Sequence, residues 1–120
     1  MAGREQLDAV VVLGGTLGNH LGVEALAELC AQFRGKPVVS IAVEVPGCSL
    51  VRVNNGAGMR EALEHLIRQH SRRRVAFIRG PRANAEAEAR FSAYREALEA
   101  AGLPLDEALV APGAFQRSCG

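Results

Sequence analysis

Short apolar runs alternate along the chain with segments whose apolar residues recur at helical spacing. The apolar runs, which we predict as strands, cover residues 9–13, 37–43, 50–53, 75–78 and 109–111. The helical segments cover residues 21–33, 57–69 and 85–101. This alternation is typical of strand–helix–strand units, so the sequence predicts an α/β fold with a parallel sheet and flanking helices.

The apolar stripe of each predicted helix indicates which side chains it buries. In the three helices in turn, these are Val23, Leu26, Ala27, Cys30 and Phe33; Met59, Leu63, Leu66 and Ile67; and Phe91, Tyr94, Leu98 and Ala101. Asn54 and Asn55 precede the second helix, and asparagine is a preferred residue for capping a helix N-terminus.

The amino-acid composition limits the classes of protein to which the chain can belong. The chain has 120 residues, 48% of them hydrophobic and 22% charged, as in one soluble globular domain. Fourteen basic against thirteen acidic residues give a net charge of +1, which argues against a polyanion-binding surface spread over the molecule. No apolar run is long enough for a bilayer and the N-terminal sequence is not that of a signal peptide, so we expect a cytoplasmic protein without a membrane partner.

The segment VVVLGGTLGNHLG, residues 10–22, is the strongest candidate for a phosphate-binding loop. Its glycines do not have the G-x-G-x-x-G spacing of a dinucleotide loop, and no Gly-Lys-Ser/Thr follows. We interpret the glycines as a sharp turn from a strand into a helix. The carboxyl end of a parallel strand is nevertheless where open α/β sheets place ligands.

No catalytic or metal-binding pattern stands out. His20 with Glu24, and Glu61 with His65, have i, i+4 spacing but lack a third metal ligand, so we interpret them as solvated pairs. The cysteines (Cys30, Cys48 and Cys119) have no C-x-x-C spacing. The run at residues 72–74 follows a helix C-terminus, where cations complement the helix dipole; phosphate contact is the alternative. We expect no enzymatic activity, no cofactor and no metal.

From Val51 onward the sequence resembles the effector-binding domain of the LacI/GalR family of bacterial regulators. The matching stretches are VNNGAGMREALEHLI, RRRVAFIRGP and AEARFSAYREALEAAGLPLDEALVAPGAF, and the upstream LDAVVVLGG and KPVVSIAV follow the family order. The resemblance implies a partial type I periplasmic-binding-protein-like fold. It places residues 1–55 in the first ligand-binding subdomain and residues 56–120 in the second, with a ligand cleft between them.

The function that the resemblance implies is small-molecule effector sensing in a transcriptional regulator. Arg90 matches the arginine that grips effectors in family members, and a guanidinium suits oxygen-rich ligands. Asn84 and Glu86 match variable effector-contacting positions. On the loop after the first strand, the residues that would face the cleft from the other side are Thr16, Asn19 and His20.

The resemblance also implies that the chain is a middle segment of such a regulator. The helix-turn-helix of the family is not among these residues, so DNA would be bound only through that missing part. The sheet edges of such a segment favour a homo-oligomer.

Three departures from the family pattern keep alternatives open. Ala42 stands where many sugar-binding members have an aspartate, Asn54 replaces the usual aspartate, and the connection IRQHSRRRV is one residue longer. The longer connection, together with GTLGNH, is similar to sensor modules joined to diguanylate cyclases or histidine kinases. The alternatives are such a signalling sensor and a small Rossmann-type nucleotide-binding enzyme.

Overall fold

The computed structural model describes residues 6–115, which form two compact units that divide between Val53 and Asn54. Each unit contains a parallel sheet, and helices connect its successive strands except at residues 42–48, where a loop connects two strands of the first unit. The predicted α/β class with a parallel sheet is confirmed. Among the described residues, no helix combines the length and the apolar character needed to cross a membrane.

The first unit is a three-stranded parallel sheet in the order β1-β2-β3. Its strands are β1 (Val10–Val12), β2 (Val38–Ile41) and β3 (Ser49–Val51). Two helices, α1 (Gly14–Leu21) and α2 (Val23–Ala31), connect β1 to β2. The buried core of this unit consists of Val12, Leu26, Cys30, Val38 and Val45.

The second unit begins with α3 (Asn55–Glu64), which continues into a π-helical turn (His65–Gln69). Strand β4 (Phe77–Arg79), helix α4 (Ala85–Ala100), a 3₁₀ turn (Glu107–Leu109) and strand β5 (Val110–Pro112) follow. Strands β4 and β5 pair in parallel, with Phe77 opposite Val110.

Tyr94 organises the core of the second unit. It is 1% exposed, its ring stacks on Phe77 with 4.7 Å between centroids, and its hydroxyl donates a hydrogen bond to the Val75 carbonyl at 2.9 Å. The buried residues around it are Leu63, Ala97, Leu98 and Leu103. Helix α4 therefore packs on α3 and on β4 through one apolar face, as the helical spacing predicted.

The chain turns sharply from β1 into a helix, as predicted, but the loop predicted to carry Thr16, Asn19 and His20 is wrong, because these residues lie in α1. Helix α1 can begin directly after β1 because residue 14 is glycine. Any other residue would place its Cβ 2.5 Å from Ser40 Oγ, which is too close. The helix predicted for residues 21–33 is α2, which begins at Val23 because Gly22, at φ 85°, separates it from α1. Its left-handed conformation suits glycine.

Three side chains predicted as core are exposed instead. Val23 is 56% exposed because it begins α2 directly after the break at Gly22. Leu66 is 37% exposed because it lies in the wider π-helical turn, where residues no longer follow the 3.6-residue period. Ala101 is exposed because it follows the last residue of α4.

Strands β1 to β4 are each shorter than predicted, and the structure explains one boundary of β2 and one of β4. Strand β2 ends at Ile41 because Ala42 adopts φ 78°, a left-handed conformation that interrupts an extended strand. Strand β4 begins at Phe77, because the carbonyl of Val75 instead accepts the hydroxyl of Tyr94.

Candidate functional site

Two helix N-termini of the second unit carry the polar residues of the candidate site. Asn54 caps α3 through a hydrogen bond that its side-chain oxygen accepts from the Ala57 backbone N–H at 3.0 Å. Asn84 caps α4 in the same way, accepting from the Ala87 N–H at 2.9 Å. Both caps use the preferred residue type, so they fix where each helix starts and where its first side chains lie.

Asn55, Glu86 and Arg90 form one polar cluster, which we call the Arg90 cluster. Arg90 Nε donates a hydrogen bond to Asn55 Oδ1 at 2.7 Å, and Asn55 Nδ2 donates to Glu86 Oε2 at 3.2 Å. Arg90 Nη2 and Glu86 Oε2, one helical turn apart on α4, are separated by 3.6 Å. The three side chains therefore hold one another in place across α3 and α4.

The Arg90 cluster is partly open to solvent. The side chain of Arg90 is 38% exposed and that of Glu86 is 22% exposed. The short hydrogen bond engages Nε, so N–H groups on the terminal nitrogens can donate to a ligand. The negative charge of the Glu86 carboxylate offsets the positive charge of the Arg90 guanidinium, and the carboxylate oxygens can accept hydrogen bonds. The cluster thus combines donors and acceptors with no net charge.

A second ion pair on α4 serves the packing of the unit. Arg79 on β4 pairs with Glu88, and its guanidinium lies 3.9 Å from the centre of the Phe91 ring. The Arg79 side chain is 11% exposed, and its Nε is buried without a hydrogen-bond partner among the described residues. This cation–π contact anchors α4 on β4 through Phe91, the residue that directly follows Arg90.

The candidate residues of the first unit lie on α1 and not on a loop. Thr16, Asn19 and His20 have i, i+3, i+4 spacing, and all three are exposed. They therefore share one face of α1. Their predicted contact with a ligand stays a prediction.

Asn55 is not among the site residues predicted from the sequence. The sequence pattern indicates Asn54 and Asn55 together as capping residues, whereas Asn54 is the N-cap of α3 in the structure. One helix N-terminus needs a single capping side chain, so the pattern does not require both asparagines as caps.

Within residues 6–115, the two side chains with a shifted pKa, Cys30 and Tyr94, belong to the cores of the units. Burial raises the pKa of the Cys30 thiol above 9.0, and the neighbouring Cys48 thiol raises it further. Burial also raises the pKa of Tyr94 above 10.0, with a smaller contribution from Asp106. Both side chains are therefore neutral core residues at physiological pH.

Comparison with known proteins shows which proteins the chain is similar to. No family model matches the chain. The chain is 38% identical over 88 residues, 73% of its length, to the HTH-type transcriptional regulator CelR of Thermobifida fusca. It spans 25% of the length of that relative.

Two solved structures extend the comparison. A LacI family transcriptional regulator from Mycobacterium smegmatis is 28% identical with a TM-score of 0.68, over 95% of this chain and 39% of that one. The complex of the transcriptional regulator CelR with cellobiose is 25% identical with a TM-score of 0.63, over 92% of this chain and 51% of that one. The resemblance to the LacI/GalR effector-binding domain is confirmed. The LacI-type fold is partial in this chain, as predicted.

Proposed function

We propose that this chain is the effector-sensing segment of a LacI-type transcriptional regulator, without enzymatic activity. The observation that carries the proposal is the Arg90 cluster. Arg90, the position that the family resemblance assigns to effector contact, is held by Asn55 and Glu86 and remains 38% exposed. A guanidinium oriented in this way presents donors to a ligand at little cost in side-chain entropy.

The chemistry of the cluster favours a hydroxylated, neutral effector. Arg90 donates hydrogen bonds, while the Glu86 carboxylate accepts them and offsets the positive charge. Hydroxyl groups both donate and accept, so a sugar matches this set. The transcriptional regulator CelR, to which the chain is similar, forms a complex with the sugar cellobiose. Ala42 offers no carboxylate in the first unit, so we assign the acidic acceptor to Glu86.

The remaining contacts and partners are part of the same proposal. Asn84 and the α1 residues Thr16, Asn19 and His20 are further effector contacts, and residues 1–55 and 56–120 are portions of the two ligand-binding subdomains. DNA is bound through a helix-turn-helix outside these residues, and the regulator is a cytoplasmic homo-oligomer. The effector acts by shifting the population of regulator conformations.

The relatives compared above are transcriptional regulators, which favours this function over a cyclase- or kinase-linked sensor or a Rossmann-type enzyme.

A thermal-shift screen of the protein expressed from its full reading frame tests the proposal. The screen uses a panel of mono- and disaccharides that includes cellobiose, with NAD and ATP as comparison ligands. We expect a sugar to raise the melting temperature, and Arg90→Lys to abolish that rise because lysine lacks the guanidinium fork. Arg95→Lys, an exposed position on the same helix, is the matched control. A rise with NAD or ATP alone, or an equal sugar response in Arg90→Lys, would refute the proposal.

A further inference from the structure

We propose that His65 and His70 form a surface site for a divalent transition-metal ion, bound through the two Nε2 atoms. The Nε2 atoms lie 3.0 Å apart, and the rings meet edge to face with centroids 4.7 Å apart. Both side chains are exposed, so an ion reaches them from solvent. The site is separate from the Arg90 cluster and does not depend on the proposed effector function.

The π-helical turn brings the two histidines together. In an α-helix, residues five apart point in directions about 140° apart, because each residue advances by about 100°. The turn at His65–Gln69 is wider, and its i→i+5 pattern places His70 beside His65. The α-helical spacing in the sequence pairs His65 with Glu61, so it does not reveal His70 as the partner of His65.

A single proton links the two imidazoles in the absence of metal. At 3.0 Å one Nε2 donates to the other, so at least one ring must be neutral. Neutral imidazole nitrogen is the form that binds metal ions. A metal ion would accept the lone pairs of both Nε2 atoms, and the proton on the donor Nε2 would move through solvent to Nδ1 of the same ring, so that both rings bind in the neutral form.

The spacing of the nitrogens indicates which ions fit. With metal–nitrogen bonds of about 2.1 Å, two nitrogens 3.0 Å apart subtend an angle of about 90° at the metal. That angle belongs to octahedral or tetragonal coordination, which Ni²⁺ and Cu²⁺ adopt, and not to the tetrahedral geometry of structural zinc sites. Among the described residues, no group of three or more His, Cys, Asp or Glu side chains could hold a metal. Water would occupy the remaining coordination positions.

Charged residues near His65 and His70 in sequence determine the local charge around the proposed metal site. Arg68 lies in the same turn and the arginines at 72–74 follow it, whereas Glu61 and Glu64 precede it on α3. The surplus of positive charge opposes a cation, so the two imidazole bonds must supply the binding free energy. Loss of either histidine should therefore remove the site.

Retention of the untagged 120-residue chain on an immobilised Ni²⁺ column is the test. The chain has three histidines, so His20→Asn on α1 is a matched control. We expect the unaltered chain and His20→Asn to be retained equally and to elute with imidazole. His65→Asn and His70→Asn should each pass through unretained. The thiols are the same in all four proteins, so they cannot produce that difference.

Circular dichroism checks that the four proteins have the same fold. His65 and His70 are exposed, so the four proteins should have the same spectrum and melting temperature. If a variant melts differently, Ni²⁺ is titrated into the folded proteins below the lowest melting temperature, and the same pattern of binding is expected. Failure of the unaltered chain to bind Ni²⁺, or equal binding by either the His65 or the His70 variant, would overturn the proposal.

Discussion

The side-chain oxygen of Asn55 accepts a hydrogen bond from Arg90 Nε at 2.7 Å, which ties the start of α3 to the second turn of α4. Asn55 also donates to Glu86, so one amide satisfies both members of the Glu86–Arg90 pair. The amide thereby sets the direction in which the guanidinium points. This relationship distinguishes Arg90 from an ordinary exposed helical arginine, whose side chain is free to rotate.

Asn55→Ala should lower the free energy of unfolding by about 1–2 kcal/mol, because it removes two hydrogen bonds to charged groups that are partly buried. Arg60→Ala is the matched control, since the exposed Arg60–Glu96 pair also joins α3 to α4. That variant should lose less than about 1 kcal/mol. Urea denaturation of the three proteins checks the prediction, and equal losses would show that Asn55 has no special role.

Leu63→Ala should destabilise the chain far more than Leu66→Ala. Leu63 is 3% exposed and belongs to the core around Tyr94, so its truncation should cost about 2–5 kcal/mol. Leu66 is 37% exposed in the π-helical turn, and its truncation should cost less than about 1 kcal/mol. Thermal and urea unfolding of both variants provide the measurement. A larger loss for Leu66→Ala would restore the sequence-based prediction that Leu66 is a core residue.

Two glycines of α1 should respond to alanine in opposite directions. At Gly14 the new Cβ would lie 2.5 Å from Ser40 Oγ and 3.0 Å from the Ile41 carbonyl oxygen, so we expect a loss of about 1–3 kcal/mol. At Gly18 the nearest atoms would be 3.7 Å away, which is an ordinary contact, and alanine favours the helix by up to about 1 kcal/mol. Urea midpoints that fall for both variants would contradict the helical assignment of α1.

The sequence predicted the fold wherever hydrophobic period and local chemistry agreed. Helix α4 has its apolar residues at helical spacing and a capping asparagine, and its predicted range of residues 85–101 differs by one residue from the structure. The order of strands and helices followed from the same alternation. These signals are local, so a single sequence contains them.

The errors arose where tertiary contacts or unusual backbone geometry decided the outcome. The glycines at 14–18 resembled a turn, but close packing of Gly14 against Ser40 starts a helix there. The π-helical turn changed the helical period at His65, which exposed Leu66 and paired His65 with His70. The role of Asn55 depends on a partner 35 residues away, and no local pattern reports such a contact.

Isothermal titration calorimetry of the protein from its full reading frame measures whether Arg90 binds the effector. The titrant is the sugar that gives the largest rise in melting temperature. The account predicts that Arg90→Lys and Asn55→Ala both weaken binding, Arg90→Lys by at least about tenfold, or about 1.4 kcal/mol. Arg95→Lys should bind with the affinity of the unaltered protein. Equal affinity for the unaltered protein and Arg90→Lys would contradict the account.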